Sequence, residues 1–209
     1  MKISRIFLDL DDVCNEFTLH ALAAFGCSIR PGEFNKYKPE WAFDILKAAR
    51  ELYPYKEISY RSFWSAFDQR FWSGLPKSRE STELFKLAED IVGFENTLIL
   101  TAPICSPKHD SISHCWRNIT AACLIGKYNW LAEHLPSAMQ QNFAICQVKH
   151  LYASPDVLLI DDSGKNVYKF KAAGGQAILM PRPWNNLHYL KDSMIMDHVY
   201  SSLAEILQA

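Results

Sequence analysis

Apolar positions are unevenly spread along the 209-residue chain, and their spacing changes character twice. Residues 3–10 form a short run rich in branched side chains, the pattern of a buried strand, and the acids Asp9, Asp11 and Asp12 stand where it ends, in IFLDLDDV. From Asn15 to about Leu75 the spacing turns helical, first through Phe17, Leu19, Leu22, Ala23 and Phe25, then through Trp41, Phe43, Ile45 and Leu46. Pro31, Gly32, Pro39 and Pro54 break it, and a second aromatic group follows at Tyr60, Phe63, Trp64, Phe67, Phe71 and Trp72. From Ser81, a candidate helix cap, the chain alternates. The pattern predicts a helix over 81–92, a strand over 97–100 and a long helical region ending in 127–135. Strands at 143–148 and 157–160, a helix at 165–173, a strand at 176–180 and a closing helix at 198–207 complete it. Such alternation implies an α/β fold, a doubly wound and mostly parallel sheet with helices on both faces. The expected organisation is a core of residues 1–14 and 76–209, with residues 15–75 as a small helical cap inserted after the first strand, over the strand ends.

Composition narrows the partners. With 22 Lys and Arg against 23 Asp and Glu, the formal charge is −1, which gives no electrostatic reason for nucleic acid or an anionic membrane as an obligatory partner. Six scattered cysteines contain no CxxC pair and no zinc-like spacing, so reduced thiols are expected. His109 and His114, beside Cys115, match no zinc pattern either. The first apolar run is short and interrupted by Asp9, unlike a signal peptide, and no segment approaches a membrane span. A soluble, cytoplasmic protein is expected, its oligomeric state left open with a homodimer among the options.

Candidate chemistry collects at the strand ends, where open α/β sheets bind ligands. Asp9 and Asp11 follow the first strand, Thr101 closes TLILT, and Asp161 and Asp162 close VLLIDD, with Lys149 shortly before. Four carboxylates meeting at one edge require a cation, and an all-oxygen anionic cluster suits a hard ion such as Mg²⁺. A lysine and a hydroxyl at the same edge suit a substrate that carries its own negative charge, phosphate foremost. Asp161 has three readings: metal shell, support of a ligand, or cap of the following helix. Asp12 can adopt left-handed backbone geometry more readily than most residues.

The ordered set DLDDV at 9–13, LILT ending at Thr101, Lys149, and LLIDD ending at Asp161–Asp162 resembles the four motifs of the haloacid dehalogenase (HAD) superfamily of phosphatases. Within it, Phe17, the RFWSGLP stretch and KYNWLAEHL at 127–135 most resemble the 5'(3')-deoxyribonucleotidases. Two positions depart from that family: Asp12 replaces the usual glycine, and Ser163 stands where a basic residue is frequent. The resemblance implies a HAD-like Rossmannoid fold and a Mg²⁺-dependent phosphomonoesterase with a small-molecule substrate, a (deoxy)nucleoside 5'- or 3'-monophosphate. Asp9 would be the nucleophile and Asp11 the general acid and base. Asp9, the Asp11 carbonyl and Asp162, with Asp161 in the shell, would hold the metal, while Thr101 and Lys149 bind phosphate. Phe17, Trp41 and Trp72 are the candidates for the substrate pocket, where flat rings can stack a base, although such rings also serve as core. The alternatives are a phosphatase of a sugar phosphate or of a polynucleotide end, or a nucleotide-binding module that keeps the fold without the chemistry.

Overall fold

RIFL at Arg5–Leu8 becomes β1, the middle strand of the sheet, because its neighbours on both sides are strands of the same apolar kind. In the computed structural model, which describes residues 2–30, 33–53, 57–105 and 114–208, five parallel strands run in the order β3-β2-β1-β4-β5. They are β2 (Thr97–Thr101), β3 (Phe143–Ile145), β4 (Val157–Asp161) and β5 (Gln176–Leu179) around β1. Leu8 of β1 stands opposite Ile99 of β2 and Ile160 of β4, so β4 runs one residue and β2 two residues past the end of β1, all toward the same edge.

Side chains alternate across the pleat and so build two apolar layers. Ile6, Leu8, Ile99, Leu158 and Ile160 face one cluster; Phe7, Leu100, Leu159 and Ala177 face the other. Helix α7 (Gly164–Ala172) closes the second layer through Val167 and Phe170. The first is covered by α5 (Ser81–Val92), α6 (His114–His134) and α8 (Ile195–Gln208). Helices on both faces are the doubly wound arrangement expected from the sequence.

Between β1 and α5 the described residues form four short α-helices, α1 (Phe17–Ala24), α2 (Ile45–Leu52), α3 (Tyr60–Trp64) and α4 (Gln69–Ser73). Asp44, Ser59 and Asp68 each accept a backbone N–H of the following turn and so start the last three. Their buried side chains, Phe63 and Trp72 among them, continue the first apolar layer without a break, joined by Phe67 from the turn between α3 and α4. Helix α4 lies directly on α6. A Cβ on Gly126 would come 2.3 Å from the Cβ of Trp72 and 2.7 Å from the Gln69 carbonyl, so only glycine permits this approach.

Ser81 is not the cap of α5: it is the first helical residue, its hydroxyl buried with no partner among the described residues, and Glu80 takes the cap position with no side-chain bond to the helix. The Glu80 carboxylate is instead drawn 2.9 Å from Arg182 Nη2. Pro31, Gly32, Pro54 and His109 lie outside the described residues. No helix among the described residues is long and apolar enough to cross a membrane.

Candidate active site

The ends of β2, β1 and β4 carry Thr101, Asp9 and Asp161 on one edge of the sheet, Asp9 level with Asp161 and Thr101 one residue further along. Asp9 is the first residue beyond β1, and its N–H donates to the Ile160 carbonyl at 2.9 Å. Lys149 comes from a single 3-10 turn after β3 and is buried to 3% exposure. Its ammonium lies 2.6 Å from Asp9 Oδ1 and 2.7 Å from Asp161 Oδ2, bridging the two acids. Asp9 Oδ1 also accepts the Leu10 N–H at 2.7 Å. Asp161 is fully engaged, since it accepts the Ser163 N–H at 2.8 Å and the Asn166 Nδ2 at 3.1 and 3.2 Å. Ser163, in turn, caps α7. Asp162 accepts the Trp184 indole N–H on Oδ2 at 2.6 Å, and its carbonyl accepts Asn185 Nδ2 at 2.9 Å.

Asp9, Asp161 and Asp162 each offer an oxygen within 4.8 Å of the others, and all three are buried. Burial pushes the Asp9 carboxyl up to about 7; the Lys149 charge opposes this, and the charges of Asp161 and Asp11 add to it. Burial also raises Asp162 well above the usual carboxylate range, with Asp12, Asp161 and Asp9 adding repulsion. Burial alone would lower Lys149, but Asp9 and Asp161 override it and hold its ammonium form. Three acids against one lysine leave excess negative charge in a nearly dry site, and hard oxygen donors are all it offers. The cluster therefore fits a divalent, oxygen-seeking cation.

Asp11 has a second lysine. Lys127, on α6, is fully buried, and its Nζ lies 2.5 Å from Asp11 Oδ2, 2.8 Å from Thr101 Oγ1 and 2.6 Å from the Ala102 carbonyl. In sequence the stretch 127–135 carries a family resemblance but no role for this lysine. A signal was present: Cys123, Lys127, Trp130 and Leu131 are all buried at helical spacing, so the lysine occupies a slot on the apolar stripe of its helix.

Asp12 is left-handed, with φ 60°. Its carboxylate accepts the Thr18 N–H at 2.9 Å and the Thr18 hydroxyl at 2.6 Å, which caps α1 in place of Glu16. Its carbonyl accepts Arg182 Nε at 2.7 Å. An aspartate where the resembled family has glycine thus keeps the backbone turn and adds a helix cap. Burial pushes its carboxyl up to about 7, against the Thr18 bonds.

The candidate pocket rings fall into two groups. Phe17 is sandwiched, with Trp72 stacked 4.9 Å on one side and nearly parallel, and Trp64 stacked at 6.1 Å. Trp72 Nε1 is buried with no hydrogen-bond partner among the described residues. Trp41 belongs with Tyr37, edge-on at 5.0 Å, which in turn meets Trp184 at 5.2 Å. A cavity of about 410 Å³ lies between Phe34, Tyr37, Arg182, Leu187 and Tyr189, and none of the strand-end acids lines it.

A comparison with curated proteins gave no match. Among solved structures, an HAD-family enzyme from Bacteroides thetaiotaomicron in complex with magnesium and inorganic phosphate is 12% identical, with TM-score 0.40 over 90% of this chain and 100% of that one. An HAD-family hydrolase from Deinococcus radiodurans with bound phosphate and sodium is 16% identical, with TM-score 0.40 over 98% and 96%. A hydrolase from Streptococcus pneumoniae is 13% identical, with TM-score 0.44 over 86% and 93%. The family described as 5' nucleotidase, deoxy (pyrimidine), cytosolic type C matches residues 54–198. That match spans more than half of the chain and settles the family: the chain belongs to the family of cytosolic type C 5'-nucleotidases.

Proposed function

We propose that the protein is a Mg²⁺-dependent phosphomonoesterase that dephosphorylates a (deoxy)nucleoside 5'- or 3'-monophosphate through an aspartyl-phosphate on Asp9. The observation that carries this reading is the Lys149 bridge between Asp9 and Asp161 at the end of the central strand. It holds one oxygen of Asp9 and leaves Oδ2 for attack on phosphorus. Lys149 then remains beside the phosphoryl group, where its charge stabilises what develops in transfer. Thr101, fully buried at the next strand end, offers its hydroxyl to the same group.

Asp9 and Asp162 would hold the metal, with the Asp11 carbonyl. Asp161, whose oxygens are already taken by Lys149, Ser163 and Asn166, supports the shell by fixing Lys149. A bound Mg²⁺ supplies charge that offsets repulsion between the carboxylates and an anionic substrate. Asp11 gives a proton to the leaving alcohol and then takes one from the attacking water.

In this reading residues 15–75 form the cap. The unpartnered Trp72 N–H is a donor that a leaving-group carbonyl or hydroxyl can satisfy, removing the cost of ~1–3 kcal/mol for a buried unpaired donor. Phosphate release from a panel of deoxynucleotides, sugar phosphates and phosphorylated oligonucleotides, with Mg²⁺, tests the substrate class. Nucleotides are expected to lead, and a preference for either other class would replace that part of the proposal.

A further inference from the structure

Lys127 is the most fully engaged cation in the site, and no metal or phosphate role accounts for it. All three of its donors are satisfied inside the protein, by Asp11 Oδ2, Thr101 Oγ1 and the Ala102 carbonyl. The face of Trp72 lies 5.4 Å from its Nζ and closes the remaining side. Trp72 reaches that place because Gly126, the neighbouring residue, lets α4 lie against α6. A buried ion pair of this kind gives little net stability, because desolvation offsets the attraction and an apolar side chain would fill the slot at least as well. What the lysine supplies that an apolar residue would not is direction.

One direction follows from its bonds. Asp11 Oδ2 is held, so Oδ1, whose one hydrogen bond among the described residues is a long one of 3.4 Å from Asn15 Nδ2, is the oxygen left to exchange a proton. We propose that Lys127 is a positioning residue for the proton-transfer steps: by holding Asp11 Oδ2 it aims Oδ1 at the leaving oxygen. This rests on the phosphatase reading above. In the first half-reaction Asp9 Oδ2 bonds to phosphorus as the ester P–O bond breaks. The electron pair of that bond goes to the leaving oxygen, which takes the proton from Asp11 Oδ1. In the second, water adds to phosphorus and gives a proton to Oδ1, and the Asp9–phosphorus bond breaks with its pair returning to Asp9.

The test uses Lys127→Met, Asp11→Asn and the double variant. Lys127→Gln is carried in parallel and circular dichroism checks the fold, so that a folding failure in one substitution leaves the comparison intact. General acid–base catalysis is worth ~10²–10⁴-fold, so Lys127→Met is expected to lower kcat on a deoxynucleotide by roughly 10–100-fold with KM close to wild type. p-Nitrophenolate leaves without a proton, so the first-turnover release of p-nitrophenol should persist in the variant while nucleotide cleavage falls. In the Asp11→Asn background the same change should cost little more, because the lysine acts through Asp11. Undiminished nucleotide turnover, equal first-turnover losses with both leaving groups, or an undiminished loss in the Asp11→Asn background would overturn the assignment. Asp9→Asn is run alongside: turnover in that variant defeats the phosphatase reading itself, whereas an inert Asp9→Asn beside an unimpaired Lys127→Met defeats only the role of Lys127.

Discussion

The sheet edge and the ring-packed helices between β1 and α5, a roof of aromatic side chains, are built on opposite terms. At the edge, Asp9, Asp11 and Asp161 each meet a buried lysine or a backbone N–H at 2.5–2.8 Å, and the arrangement is held by charge. In the roof, Phe17, Trp64, Phe67, Phe71 and Trp72 meet one another as rings, 4.5–6.5 Å between centroids, and the arrangement is held by packing. The lesson is a division of labour. The edge spends stability to keep charges dry and aimed, while the roof supplies apolar burial.

That contrast can be broken from either side. The largest effect is expected in the roof: Phe17→Ala removes the ring between two tryptophans and should lower stability by ~3–5 kcal/mol in denaturant titration, the usual cost for a buried Phe. A rise in KM without that loss would instead make Phe17 a substrate contact. At the edge, Lys149→Met should lower kcat by ~10²–10³-fold, the scale for losing one preorganised donor on a developing charge. If it costs only stability, the lysine is structural. Trp184→Phe removes the N–H that holds Asp162 and should weaken Mg²⁺ binding ~10–100-fold by calorimetry, as loss of a ligand's support does. Asp12→Ala, which loses the α1 cap and puts alanine at positive φ, should cost about 1–2 kcal/mol with little effect on kcat.

A smaller effect follows from pH. Asp9 and Asp12 are raised to about 7 by burial in the folded chain, well above their unfolded value of 3.8. A raised acid contributes stability that is complete below the unfolded value and lost as pH rises through the folded one. Without metal, the melting midpoint should therefore fall between pH 5 and 8, and Mg²⁺ should flatten that decline by compensating the ionised carboxylates. A midpoint that rises over the same window without metal would mean that the two lysines already neutralise the cluster.

Much of the edge was readable in the sequence for a physical reason. Acids that end apolar strands stand out because desolvated charge needs a partner, and the expected strands at 157–160 and 176–180 fall within one residue of β4 and β5. Lys127 was not readable as part of the edge, since a lysine in a helix is by default a solvated residue and only its place on the buried stripe marks it. The roof was legible as helices and rings but not as contacts. Whether a ring stacks on another ring or on a ligand depends on how short helices meet, and the glycine that lets α4 touch α6 lies more than fifty residues from Trp72 in sequence. Ser81 shows the same limit at a cap: sequence offers the hydroxyl, but tertiary contacts gave the cap position to Glu80 and its carboxylate to Arg182.

The central claim is that Asp9 is the nucleophile. Purified protein incubated with Mg²⁺ and p-nitrophenyl phosphate, then quenched in acid, is predicted to carry one covalent phosphate on a peptide containing Asp9, and Asp9→Asn to carry none and to release no p-nitrophenol. Sustained turnover by Asp9→Asn, or phosphate found on another residue, would contradict it.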